Sequence, residues 1–151
     1  MTLTSPTPPM TLRRVPAADV IDLRHAILRA GLPRETALFP GDDDPNARHY
    51  GAFEEDRLIG CVTLHPSTWR DNPAWQLRGM AVDKTHQSHG VGKALIDFLE
   101  ADLHDSPTRQ LWCNARVPAA RFYEKVGWRI VSEPFEIPTA GPHVKMTKRL
   151  A

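Results

Sequence analysis

The sequence contains no apolar run close to the roughly 20 residues that a bilayer span requires. Its first ten residues, MTLTSPTPPM, hold neither a basic n-region nor an apolar h-region, so no secretory signal is read there. These absences predict a cytoplasmic chain with no membrane partner. Net charge is also scarce. Nineteen Lys and Arg stand against 18 Asp and Glu, giving +1, and without a global basic field nucleic acid is not expected as a partner. Cysteine is limited to Cys61 and Cys113, both in apolar, strand-like runs. Two buried free thiols in a reducing compartment fit that placement, with a disulfide as the alternative. The seven histidines show no metal-ligand spacing, so no metal is expected. A nucleotide-binding phosphate loop is excluded too: Gly92-Lys93 leads to Ala94, with no hydroxyl for Mg²⁺. No internal repeat is visible.

What remains is ordinary globular material, 151 residues with 41% hydrophobic and 25% charged side chains, enough for one domain with a real core. Residues 1–9, rich in Thr, Ser and Pro, are expected to be a disordered tail, and residues 10–151 a single domain. Met10–Val15 reads as a strand. Pro16 can open a helix in which Val20, Leu23, Ile27 and Ala30 repeat at helical spacing, ended by Gly31 and Pro33. Its polar side (Asp22, Arg24, His25, Arg29) reads as mostly solvated, with Arg24 and His25 next to the apolar stripe. The polar stretch 32–48 should be a long connection that can hold a short helix, and Asp42-Asp43-Asp44 a solvent-exposed turn. His49–Glu54 and Leu58–Leu64 form a hairpin pattern. A second connection is expected over 65–73, then a strand over 75–82, where Gly79 signals a bulge or a close ligand approach. A helix over 92–104, a strand over 110–114, a helix from Pro118 to Gly127, a strand over 128–131 and a terminal pair complete the order. Strands 75–82 and 110–114 flank a crossover helix and should be parallel.

The stretch Met80–Leu95, MAVDKTHQSHGVGKAL, stands out within that order. A strand ends at Val82, a polar loop carries Lys84 to His89, and Gly90-Val91-Gly92 opens a helix. Glycines let backbone N–H groups approach a ligand closely, and a helix start offers unpaired donors and a positive dipole end. No acidic side chain follows until Asp97, and Lys93 sits in the first turn, where only a nearby anion makes it favourable. The pattern suits an anion grip, or in its plainest form a tight strand-to-helix turn.

Two segments carry a resemblance. Gln87-Ser88-His89-Gly90-Val91-Gly92, after Met80-Ala81-Val82, resembles the acetyl-CoA-binding signature Q/R-x-x-G-x-G/A of the GCN5-related N-acetyltransferase (GNAT) superfamily. Asn114, followed by Ala120-Arg121-Phe122-Tyr123-Glu124-Lys125-Val126-Gly127-Trp128, is similar to that family's later strand-and-helix motif. The ending Pro142-His143-Val144-Lys145-Met146 is similar to many members' C-termini. The resemblance covers residue 10 to the end. It implies an α/β (α+β) acyl-CoA N-acyltransferase fold: a mixed, twisted sheet of about six to seven strands, helices on both faces, and a V-shaped splay between two central parallel strands. It further implies an acyltransferase with acetyl-CoA as cosubstrate, no metal, and a primary amine of a small molecule or peptide as acceptor; many members are homodimers. Pantetheine would pair near Met80, Ala81 and Val82. Pyrophosphate would sit on Gln87, Ser88, His89, Gly90, Val91, Gly92 and Lys93, and Asn114 would hold the cofactor arm. Tyr123 would be the general acid to the CoA thiolate.

Two positions depart from the family. Ser88 and His89 replace a common glycine or basic residue, which is tolerable where only the backbone is used. Gln76 takes the place of the glutamate base of the histone-modifying branch, and an amide cannot act as that base. His25, His65, His143 and Glu54 are the other base candidates, and spacing does not choose among them. The candidate substrate contacts are Arg24, His25, Gln76, Arg78 and His143, with Arg78 suited to a substrate carboxylate. A non-catalytic acyl-CoA-binding or regulatory module on the same fold is the alternative function.

Overall fold

Residues 9–138 and 140–151 are described by the computed structural model; the expected tail over 1–9 therefore lies, Pro9 apart, outside the described residues. Among the described residues, eight strands form one sheet: β1 (Met10–Val15), β2 (Arg48–Glu54), β3 (Arg57–Trp69), β4 (Asn72–Val82), β5 (Gln110–Arg116), β6 (Arg129–Ile130), β7 (Phe135–Ile137) and β8 (Gly141–Arg149). Their order is β1-β2-β3-β4-β5-β8-β6, with β7 also on β8. The eighth strand exceeds the six to seven expected, because β6 and β7 are short separate pieces sharing the outer edge of β8. Neighbours are antiparallel except β4 and β5, which are parallel, as the crossover helix between them requires.

Helix α1 (Ile21–Leu28) continues a 3-10 turn over Ala17–Val20, α2 spans Val91–Asp102, and α3 spans Ala120–Lys125. Strand alternation decides which face each covers. Val62, Leu64, Trp75, Leu77, Leu111 and Cys113 point to one face and pack with Val91, Leu95, Ile96 and Leu99 of α2 and Tyr123 of α3 in the main core. Cys61 and Ala81 point to the other face and pack with Val20 and Ile21. Helices therefore cover both faces, and Cys61 and Cys113 are free, buried thiols.

Three local expectations are corrected. Residues 65–73 are not a connection: β3 runs through Pro66 to Trp69, and β4 begins at Asn72. The turn is Arg70-Asp71, both left-handed at φ 50° and 67°, the geometry of a tight hairpin. Pro66 is tolerated because β2 pairs with β3 only as far as Leu64, leaving an open edge where a missing N–H is not needed. Arg24 is not on a solvated face but fully buried. Asp42 is not a free turn residue: its carboxylate accepts bonds from Arg24 Nη1 (2.6 Å), His65 Nε2 (2.9 Å) and the Phe39 N–H (2.9 Å). A buried guanidinium needs a partner, and the connecting segment folds inward to supply one. Asp43 and Asp44 are exposed, as expected. Among the described residues, no helix is long and apolar enough to cross a membrane.

Candidate active site

The parallel pair that sets up the site is short. β4 and β5 are in register only at Trp75↔Leu111 and Gln76↔Trp112. Beyond those pairs the strands part, and a cavity of about 210 Å³ opens between them. Gln76, Arg78, Gly79 and Met80 line it from β4, and Cys113 to Arg116 from β5. Leu28, Arg29 and Phe39 close it from the α1 side, Tyr123 from α3, and Ile137, Ala140 and His143 from the C-terminal end. In β4, Gly79 and Met80 stand opposite Val62 alone, between Ala81↔Cys61 and Arg78↔Thr63. This is the bulge that Gly79 signalled, and its φ of +70° needs glycine.

The bulge and the splay leave backbone groups unused. Asp83 N–H donates to Ile59 O across to β3 (2.8 Å). Antiparallel bonding alternates along a strand, so the Val82 N–H turns away from β3 toward the gap. The Val82 carbonyl accepts from Gln87 Nε2 (3.0 Å), which pins the loop to the strand end. Ser88 (φ 67°) and Gly90 (φ 82°) are both left-handed, a backbone that curls N–H groups toward one point. No side chain caps α2 at Gly90, and no acid lies in its first turn. The first N–H groups of α2 thus stay open to a ligand. Gly92 serves packing: a Cβ there would come within 3.0 Å of the Phe122 ring. Lys93 differs from the expected bare cation, since its Nζ pairs with Asp97 (2.7 Å) on the exposed surface. The adjoining 3-10 turn, Lys84–His86, is tied down by His86, which bonds Asp83 Oδ2 (3.0 Å) and Glu54 Oε2 (3.1 Å). Hydrogen bonds from Thr85 and His86 hold Asp83 near pKa 2, and Asp83 followed by Glu54 raises that of His86 against a smaller opposing effect of burial.

Tyr123 is 6% exposed and packed edge-on to Phe122 and at a tilt to Trp128, yet lines the cavity. Phe122 is only half-buried, while Tyr123 belongs to both core and cavity. Burial pushes the Tyr123 phenol far up, helped by the Cys113 thiol, and burial pushes Cys113 up to about 12. Both stay protonated at neutral pH. Asn114 Oδ1 accepts from Lys145 Nζ (3.0 Å).

The remaining predicted residues divide. Gln76, Arg78 and His143 meet in the cavity. Arg24 is not among the lining residues: its Nη1 also donates to Ala37 O and its Nη2 to Thr63 Oγ1. His25 bonds Leu32 O (2.7 Å), Glu54 is held by His86, and His65 by Asp42; none of these three lines the cavity. Residues that sequence reasoning passed over are Phe39, Arg29 and Arg116. The sequence signal for Phe39 is an aromatic in a polar stretch.

The family model described as Acetyltransferase (GNAT) family matches residues 18–128. The chain belongs to the GNAT acetyltransferase family. As an acyltransferase of that family it is 31% identical over 144 residues to the uncharacterized N-acetyltransferase YitI of Bacillus subtilis (strain 168), spanning 93% of this chain and 97% of that protein. A provisionally named N-acetyltransferase from Lactobacillus plantarum superposes with TM-score 0.79 at 21% identity, over 94% of this chain and 99% of its own. An aminoglycoside 6'-N-acetyltransferase crystallised with coenzyme A gives TM-score 0.74 at 15% identity, over 92% and 96%. At those identities the two structures share the GNAT fold with this chain.

Proposed function

We propose that the chain, acting as one domain over residues 10–151, moves the acetyl group of acetyl-CoA to a primary amine of a small molecule or peptide in the cytoplasm. The observation that carries this reading is the early end of β4–β5 pairing. It leaves a slot lined by Gly79 and Met80 on one wall and Tyr123 on another, and the uncapped start of α2 follows the end of β4. The cosubstrate fits that layout: open N–H groups from Gln87 to Lys93 suit a pyrophosphate, and an unpaired strand edge near Met80 and Val82 suits the amides of a pantetheine arm. When bound, acetyl-CoA supplies an activated thioester carbonyl. The amine nitrogen forms the new bond to that carbon while the carbon–sulfur bond breaks.

The chain's own residues handle the protons. Tyr123, neutral because buried, gives its hydroxyl proton to the departing thiolate, whose own basicity the same low-dielectric site raises. The Val82 N–H, left unused by β3, is the donor suited to the carbonyl oxygen as it gains charge. No Asp or Glu is among the described residues that line the cavity, and Gln76 replaces the carboxylate of other branches. His143 is the lining group suited to accept the amine proton. Its Nδ1 donates to Gly141 O (2.8 Å), which leaves the lone pair on Nε2. Purified protein, acetyl-CoA and a panel of amines, followed by free-thiol release, test the reading. Amine-dependent release supports it; CoA binding with no release from any amine would favour the non-catalytic module.

A further inference from the structure

The acceptor side of the cavity is ringed by guanidinium groups. Arg24, Arg78 and Arg29 place their central carbons 4.0, 4.5 and 5.3 Å from the centroid of one ring, that of Phe39. Arg24 is neutralised by Asp42. Arg29, Arg78 and Arg116 are not: among the described residues none of them has a carboxylate within ion-pair distance. They also come from three separate segments. Arg78 lies on β4 and Arg116 at the end of β5, on opposite sides of the gap, while Arg29 follows α1 above it. Burial weighs on both Arg29 and Arg78; Arg116 and Arg24 add to it at Arg29, and Arg24 and Arg29 add to it at Arg78, where Asp42 offsets only part, a cost that a bound anion would reduce. α1 packs on the sheet face opposite α2 and Phe39 stacks on its Arg24, so these cations do not belong to the Gln87–Lys93 loop.

We infer that the acceptor is an amine carrying an anionic group, a carboxylate in its simplest form, which Arg29, Arg78 and Arg116 hold while its nitrogen reaches the slot. A polycationic amine meets three like charges and no carboxylate at the same mouth. This inference rests on the acetyl-transfer reading above.

The test uses α-amino acids, each matched with its amide and its decarboxylated amine, together with phosphoethanolamine and spermidine. The anionic acceptors are expected to exceed their neutral partners by roughly tenfold or more in kcat/KM, in line with one charge-assisted hydrogen bond. Arg78→Gln and Arg116→Gln should erase that ratio through KM, Arg78→Lys should restore part of it, and affinity for CoA should stay unchanged. Neutral amines or spermidine serving equally well would overturn the inference. So would a preserved ratio in the variants, or a loss of CoA affinity instead, which would assign the arginines to the phosphates of the cofactor. If no amine is acetylated, the underlying reading fails separately. Calorimetry of the same series against CoA-loaded protein then decides this one: anionic amines must bind and their amides must not, with Arg78→Gln abolishing the difference.

Discussion

A Cβ built on Gly79 would stand 2.9 Å from Nε of Arg24 and 3.3 Å from the Phe39 ring. Arg24 cannot swing aside, because Asp42, Thr63 and the Ala37 carbonyl fix its other nitrogens. Gly79→Ala therefore meets both a left-handed φ and an immovable neighbour. It should lose about 1–3 kcal/mol of stability and distort the cavity wall. Urea unfolding checks the first effect; a variant as stable as the parent would show that the bulge relaxes freely.

Asp42→Asn leaves the Arg24 guanidinium buried without its counter-charge. Breaking a buried pair from one side costs about 3–5 kcal/mol, so this variant should unfold at markedly lower urea. Removing both charges with Arg24→Met and Asp42→Leu should recover much of that loss, since the desolvation of Arg24 disappears with its partner. A double variant as weak as the single one would mean that His65 and the Phe39 N–H, not the ion pair, dominate what Asp42 does.

His49 gives the stability a pH dependence. It is 5% exposed; its Nε2 donates to Asp42 O (2.9 Å) and its Nδ1 pairs with the Thr63 hydroxyl (2.8 Å). Burial lowers its pKa, Arg24 and His65 add to the effect, and Asp42 opposes it. As pH falls, the unfolded chain takes up this proton before the native state does. The contribution is whole above about pH 6.5, the ordinary histidine value, and is lost as pH drops toward the lower folded pKa. The urea midpoint should decline from about pH 7 to about pH 5, and His49→Gln should flatten part of that slope. An unaltered slope would place the titration elsewhere.

Tyr123→Phe should retain acetyl-CoA binding and lower turnover by roughly tenfold or more. His143→Gln should likewise lower turnover while leaving acetyl-CoA affinity unchanged. Stopped-flow thiol release separates these effects from binding. Full turnover in Tyr123→Phe would leave the thiolate to take its proton from water.

Gly90→Asp should abolish acetyl-CoA binding, while Ser88→Ala should change it little. No heavy atom lies within 4 Å of a Cβ at Gly90, so the loss would come from the φ of +82° and from a carboxylate placed against a phosphate, not from a clash. Equal affinity in Gly90→Asp, measured by calorimetry, would remove the loop from the cofactor site.

The elements legible in the sequence were those whose signal is local. Gly90 and Gly92 before α2, Tyr123 in α3 and the Gly79 bulge each announced a backbone or packing need within a few residues. The hairpin at Arg70-Asp71 was not legible, because Pro66 and Pro73 read as breakers and Arg70 is not a usual left-handed residue. The cluster of Arg24, Asp42, His49, Thr63 and His65 was hidden for a different reason. Its members come from α1, a polar connection, β2 and β3, and only tertiary pairing turns five ordinary surface residue types into a buried network. Arg29 and Arg116 were missed likewise, since no periodicity brings the end of a helix to the end of a strand across the sheet.

Phe39 hangs from Asp42 by its backbone N–H, and that same carboxylate secures the interior. One part of the acceptor wall is thus inseparable from foldability, whereas Arg29, Arg78 and Arg116 hold no ion pair among the described residues. A mutational scan should divide accordingly. Substitutions at Arg24, Phe39 and Asp42 would be purged for yield, and substitutions at Arg29, Arg78 and Arg116 would survive and retarget the enzyme. A laboratory seeking a new acceptor should randomise those three and leave the anchor alone.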